Sequence, residues 1–232
     1  MAQVDRTVVA AFPIFGGLRP VDLDSVIEEA RLARYPKGTD VFRQDEEARS
    51  FFVLFGGHLR VIKLTPDGRQ IVVRFVNPGE IFGVAMAIGR TSYPATATAV
   101  VDSAALVWAS AAWPRLVGKY PSLAANAMNT VGSRLQESHE QLIAVSTEQV
   151  EQRVARTLLR LAQQAGRKVA QGVEIDFPIS RQDIAEMTGT TLHTVSRILS
   201  AWEAKGIVEG GRQRIVVKQP HQLVLLVDQV KE

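Results

Sequence analysis

Residues 179–205, ISRQDIAEMTGTTLHTVSRILSAWEAK, restrict the fold of this 232-residue chain more than any other stretch. Ser180 is placed to cap a first helix, and Asp183, three residues on, completes a capping box. Ile184, Ala185 and Thr188 give that helix a small inner face, and Ala185 lets a second helix cross close by. Gly189 follows where the turn between crossing helices wants a residue that tolerates positive φ. Thr190 and Thr191 are candidate caps for the second helix. In that helix Val195, Ile198, Leu199 and Trp202 recur at helical spacing and form one apolar face. His193, Ser196, Arg197 and Ser200 fall on the other side. A helix packed on one face, with short polar groups and an arginine on the other, suits the major groove of DNA. An ordinary helical hairpin with a solvated face shares the periodicity, but it does not need the small residue, glycine, caps and polar face together. The stretch reads as a DNA-binding helix-turn-helix.

The same residues carry a likeness. ISRQDIAEMTGTTLHTVSRIL resembles, without gaps, the helix-turn-helix of the cyclic-AMP receptor protein/FNR superfamily of bacterial transcription regulators. The resemblance implies that His193, Ser196 and Arg197 occupy the base-reading positions, which the FNR branch fills with Glu, Ser and Arg. It therefore implies a TTG-type half-site in an inverted repeat of double-stranded DNA, with Arg197 on the guanine through O6 and N7. His193 departs from the pattern and leaves the neighbouring inner base open. Arg181, Gln182 and Thr191 match positions that hold DNA phosphates. An activator acting as a homodimer with RNA polymerase is the implied setting.

The chain is long enough for two domains. It contains no cysteine, which excludes disulfides, thiolate zinc sites and cysteine-held iron–sulfur clusters. The FNR branch senses oxygen through such a cluster, and that route is closed here. No apolar run approaches a membrane span and no charged-then-apolar signal opens the chain, so a cytoplasmic protein without a membrane partner is expected. Net charge is only +3, so any DNA-binding surface depends on local placement.

From the N-terminus, residues 4–15 are mildly amphipathic, and a helix is expected to open around Leu18-Arg19-Pro20 and run to about Leu32. From Arg34 to Val107 the texture becomes β-rich, with short runs at 40–43, 51–55, 59–64, 70–76, 95–101 and 104–108. Pro36-Lys37-Gly38, Gly56-Gly57, Pro66-Asp67-Gly68 and Asn77-Pro78-Gly79 break them with turn chemistry. Even spacing of short strands predicts a small antiparallel barrel or jelly roll. The glycines of FGGHLRV and NPGEIFG resemble those of the superfamily's β-roll effector domain.

The barrel lacks enzyme chemistry. His58 has no second histidine close in sequence, and no phosphate loop, nucleophile elbow or HExxH motif is present. Family members that bind cyclic AMP place a glutamate after the turn glycine, with an Arg-Ser pair ten and eleven residues beyond that glutamate. Here the turn glycine is Gly83, Val84 stands for the acid, and Pro94 and Ala95 stand for the pair. Glu80 precedes the turn and does not substitute. A cyclic phosphate would be desolvated there with no arginine partner, so no cyclic nucleotide is expected in a pocket at Gly83, Val84, Pro94 and Ala95. The segment FGVAMAIGRTSYPATATAV is similar to the nitric-oxide-responsive regulators of denitrification, which implies a nitrogen-oxide signal and haem as sensor cofactor. His58, His139, His193 and His221 are the nitrogen ligand candidates, with Met and Tyr also open. No metal ligand set follows from the sequence.

A long helix is expected from about Ser122 to Val145. Met128, Leu135 and Leu142 repeat every seven residues, with Val131, Ser138 and Val145 as companion track, so the narrow stripe predicts a parallel two-helix seam between copies. A hinge is expected at 144–148, with Ser146 and Gln149 capping a helix at 148–164. A strand at 173–177 then leads into the helix-turn-helix. Beyond it, Ile207-Val208 and Ile215-Val216-Val217 flank Gly210-Gly211 as a hairpin whose Arg212, Arg214 and Lys218 are candidate phosphate contacts. A last helix at 221–230 follows. The expected fold is α+β: a β-roll at 1–120, a dimerisation helix and hinge at 121–147, and a winged helix-turn-helix domain at 148–232. Two functions remain open, a regulator whose barrel reads a small signal and a constitutive DNA-binding dimer whose barrel is only structural.

Overall fold

The computed structural model describes residues 5–228. By its internal contacts the chain divides between Gln136 and Glu137, inside the long helix.

The first unit begins with α1 (Arg6–Ala10), a 3-10 turn at Pro13–Phe15 and α2 (Pro20–Glu28). Twelve strands run along the described residues, and the first eight belong here: β1 (Arg31–Tyr35), β2 (Asp40–Phe42), β3 (Ser50–Gly56), β4 (Leu59–Leu64), β5 (Gln70–Val76), β6 (Ile81–Phe82), β7 (Thr96–Ala99) and β8 (Ser103–Ala109). They form two antiparallel sheets, ordered β1-β8-β3-β6 and β2-β7-β4-β5. Alternation along β3 builds both cores. Phe51 and Val53 face a cluster with Phe15, Val26, Leu116 and Leu123, while Phe52 and Leu54 face Phe42, Leu59, Phe82 and Val107. Trp108 lies in the first cluster, and its indole N–H donates to the Val26 carbonyl at 2.9 Å. All four expected turns are present, each with a glycine at positive φ. At Gly57 this freedom is required, because a Cβ there would lie 2.7 Å from the Asp102 carbonyl oxygen.

The helix expected to reach Leu32 stops at Glu28, and Leu32 lies in β1 opposite Leu106. Two acids at the C-terminal end, Glu28 and Glu29, oppose the helix dipole, and pairing with β8 takes over the next residues. The strand β6 has no counterpart in the sequence reading, since two residues carry no alternation.

After α3 (Trp113–Lys119), α4 spans Pro121–Thr147, close to the expected helix. In the second unit α5 (Val150–Ala165) starts with a capping box of Gln149 and Gln152. Ser146 does not share in it; its hydroxyl donates back to the Leu142 carbonyl, 3.0 Å away. Then come β9 (Gly166–Val169) and β10 (Gly172–Ile175), α6 (Arg181–Thr188), α7 (Leu192–Ala204), β11 (Val208–Gly211), β12 (Arg214–Val217) and α8 (Pro220–Asp228). The four strands form one antiparallel sheet, β11-β12-β10-β9. The strand expected at 173–177 is shorter and has β9 as an unforeseen partner, whose GRKV sequence lacks an apolar face. The last helix begins as expected; Val230 and Val4 lie outside the described residues.

Candidate DNA-reading face and barrel cavity

The helix-turn-helix forms as its caps dictate. The Ser180 hydroxyl accepts from the Asp183 N–H at 3.0 Å, and an Asp183 carboxylate oxygen accepts from the Ser180 N–H at 2.8 Å. Gly189 closes α6 at φ 63°, and the Thr191 hydroxyl accepts from the Thr194 N–H at 3.2 Å to open α7. Thr191, rather than Thr190, is the cap. Val195, Leu199 and Trp202 are buried, each contributing about 1.5–3 kcal/mol of apolar transfer. Ile198, expected among them, is half-buried. The Trp202 indole N–H donates to the Glu151 carboxylate at 2.9 Å and ties α7 to α5. The opposite face leaves His193, Arg197 and Ser200 exposed and Ser196 half-exposed. Among the described residues, the Arg197 guanidinium has no hydrogen bond or ion pair within the chain.

The other expected DNA-binding side chains differ in what already holds them. Arg181 Nη2 lies 2.8 Å from the Glu203 carboxylate, while Nη1 donates to the Ser196 carbonyl and Ser200 hydroxyl at 3.4 Å. It braces the recognition helix to α6. A Cβ on Gly210 would lie 2.2 Å from that carboxylate, so the glycine lets β11 pass this close to the pair. Gln182 donates to Glu186 at 2.9 Å. The expected Gly-Gly turn of the wing is displaced: Gly210 and Gly211 belong to β11, and Arg212-Gln213 makes the turn with Gln213 at φ 58°. Exposed Arg212 stands at that tip. Arg214 lies 3.0 Å from Glu174 and 3.2 Å from Glu209, and Lys218 lies 3.7 Å from Glu209. Two of the three expected wing cations are thus paired with carboxylates of the sheet. Hydrogen bonding from Arg214, helped by the charges of Arg214 and Arg167, holds the Glu174 carboxyl below its ordinary range.

In the first unit the expected effector residues Gly83, Val84, Pro94 and Ala95 do come together, lining a cavity of about 220 Å³. Phe42, Val61, Phe82 and Ile88 supply further apolar wall. Val131 and Arg134 of α4 and Arg74 of β5 also line it. The Glu80 carboxylate lies beside these arginines, 2.5 Å from Arg74 and 3.8 Å from Arg134. No sequence signal pointed to Arg74 or Arg134, which lie sixty residues apart in the sequence. None of the four histidines lines this cavity. His58 Nδ1 is 3.1 Å from the Asn77 side-chain oxygen, and His139, His193 and His221 are exposed. No Met or Tyr lines it either, and among the described residues no cluster of three His, Asp or Glu could hold a metal ion. The residues present therefore do not fit a haem in this cavity.

Along α4, Met128, Leu135, Leu142 and Val145 are exposed, as are Ser138 and the unforeseen Ile143. Val131 departs from the companion track by turning half-buried to the cavity. No helix among the described residues is long and apolar enough to cross a membrane.

A β-roll with an apolar cavity, a long helix with an exposed apolar stripe and a winged helix-turn-helix define a DNA-binding regulator. Residues 32–120 match the family described as Cyclic nucleotide-binding domain, and residues 152–226 match the Crp-like helix-turn-helix domain. The Nitrogen fixation regulation protein FixK of Azorhizobium caulinodans is 31% identical over 198 residues, covering 84% of this chain and 78% of that protein. The Cyclic AMP receptor protein of Thermus thermophilus is 28% identical over 207 residues, covering 89% and 93%. The structure of FixK2 from Bradyrhizobium japonicum superposes with a TM-score of 0.76 at 26% identity, covering 87% of this chain and 99% of that one. The chain belongs to the CRP/FNR family of transcription regulators, which bind DNA as dimers and are not enzymes.

Proposed function

We propose that this protein is a signal-responsive transcription activator that binds a TTG-type inverted repeat in the cytoplasm as a homodimer and engages RNA polymerase from there. The exposed, unengaged Arg197 on the face of α7 opposite Val195, Leu199 and Trp202 carries the reading. Such a guanidinium is free for the bidentate contact with guanine. Pairing of α4 helices through the exposed Met128, Leu135 and Leu142 would join two copies of the chain, and a dimer carries one reading helix for each half-site of an inverted repeat.

The barrel is the signal-reading module, and its signal is not a cyclic nucleotide. Arg74 and Arg134 line the cavity, so the expected lack of an arginine there does not hold. Cyclic nucleotides are disfavoured instead by Val84, which stands where an acid would hold the ribose hydroxyls, and by a lining that offers no hydroxyl or carboxylate side chain. A nitrogen-oxide signal is supported by the likeness of residues 82–100, taken with the cysteine-free chain and the recognition helix, and the cavity lining offers no His, Met or Tyr to hold a haem. The relatives themselves carry different names, from a Cyclic AMP receptor protein to a Nitrogen fixation regulation protein.

The test is fluorescence anisotropy on duplexes carrying a TTG inverted repeat and on duplexes with its guanines changed. Preference for the first supports the reading, and equal affinity sinks it. Calorimetry with cyclic AMP is expected to give no micromolar isotherm; a clear one overturns the exclusion.

A further inference from the structure

The barrel cavity is apolar on nearly every side and cationic at one end. The apolar wall comes from side chains such as Phe82, Ile88 and Val131, and the cationic end from Arg74 and Arg134. Both arginines are largely withdrawn from water, with side chains 21% and 24% exposed. Charge–charge attraction is stronger there than at an open surface.

Glu80 fixes the geometry of this end. One of its carboxylate oxygens accepts from the Asn77 backbone and side-chain N–H groups, at 3.1 and 3.0 Å. The other takes Arg74 Nη1 at 2.5 Å and lies 3.8 Å from Arg134. Arg74 makes its hydrogen bonds within the described residues through Nη1 alone. Its Nε and Nη2 edge is therefore available, and that edge matches a carboxylate in a bidentate fork.

We propose that the cavity binds a small apolar monocarboxylic acid, carboxylate on Arg74 and Arg134 and hydrocarbon body against Phe82, Ile88 and Val131; this rests on the barrel being the signal-reading module. The size limit follows from the volume of about 220 Å³, below the range of about 300–1,000 Å³ usual for larger ligands. The single charge follows from the lining, which offers no hydroxyl or carboxylate side chain. Ribose hydroxyls or a second carboxylate would be desolvated against aromatic and aliphatic carbon. A neutral diatomic gas makes no use of two guanidiniums.

The position also explains how occupancy is felt. Arg74 belongs to β5, whereas Val131 and Arg134 lie one turn apart on α4. An acid spanning them joins the barrel wall to the helix that bears the exposed stripe, so binding biases that helix through differential contacts.

Calorimetry on the full-length protein decides the matter with hexanoate and phenylacetate as probes and hexanamide and phenylacetamide as uncharged controls. The acids are expected to bind at least about tenfold more tightly than the amides. Arg74→Gln should weaken acid binding by about tenfold while leaving the amides unchanged, which shows that the cavity still folds. Val84→Phe should block acids and amides alike by filling the cavity without touching the charges. Equal affinity of acids and amides overturns the guanidinium contact; no binding of either acid overturns the ligand class. Binding that survives Val84→Phe overturns the location. Operator affinity measured with and without acid is the separate arm. Acid binding with unchanged operator affinity upholds the ligand class and sinks the signalling role of the barrel.

Discussion

Arginines 181, 197, 212 and 214 stand within one small domain, and their partners separate their roles. Arg181 is held by Glu203, and Arg214 lies between Glu174 and Glu209. Arg197 and Arg212 are exposed and, among the described residues, make no bond within the chain. Only the latter two can meet DNA without first giving up a protein partner. Arg197→Ala should leave the fold intact and lower affinity for the matched operator by about 1–3 kcal/mol per half-site, making matched and guanine-changed duplexes nearly equal. Arg212→Ala should weaken all sequences alike and flatten the salt slope by about one unit for each phosphate no longer neutralised. Anisotropy at two salt concentrations separates them, and a uniform loss for Arg197→Ala would make it a phosphate anchor. Glu174 adds a pH dependence. Arg214 lowers its folded pKa, so its contribution is fully present above the ordinary value of 4.5 and disappears as pH falls through the folded value. Thermal melts should therefore lose stability more steeply on acidification below that value in wild type than in Glu174→Gln. Parallel curves would show that the pair adds nothing.

Elements whose ends are set by local chemistry are legible in the sequence itself. Ser180 with Asp183, Gly189 and Thr191 mark the helix-turn-helix because each group bonds to backbone within a few residues. Ser180→Ala should lower stability by about 1 kcal/mol, read from urea unfolding, since the Asp183 N–H loses its acceptor at 3.0 Å. A change below a few tenths would mean that water replaces the cap. Elements defined by distant partners are not legible in this way. Leu32 pairs with Leu106, and the polar β9 pairs with β10, so neither alternation nor composition reveals them. The wing turn falls two residues later than its glycines suggest, because Gly210-Gly211 carries a turn signal although Gly210 serves close packing against Glu203. The cavity is half legible. Gly83, Val84, Pro94 and Ala95 line it as the family pattern implied, but Arg74 and Arg134 meet only through folding.

At the scale of the whole molecule, α4 has to serve two purposes, and its sequence shows how they are divided. Leu123 and Ala127 bury its first turns in the barrel unit, and Val131 and Arg134 turn to the cavity. Met128, Leu135 and Leu142 point elsewhere, 61%, 56% and 66% exposed within one chain. Apolar residues repeating every seven positions on an otherwise polar helix are expected to find a matching helix, and a parallel seam supplies one. Leu135 lies at its middle. Leu135→Asp should leave the single chain folded, because the side chain has little packing to lose there, but it would put two unpaired carboxylates into the seam of a dimer. Removing that charge from water without a partner costs several kcal/mol, enough to part the copies at micromolar concentration. Operator affinity should fall with it, since a monomer reaches only one half-site at a time. Asn129→Asp places the same charge on the same helix off the stripe and should change neither property. Sedimentation velocity and anisotropy on both variants test the assignment. A Leu135→Asp protein that still sediments as a dimer would move the interface off this stripe, whatever its affinity for DNA.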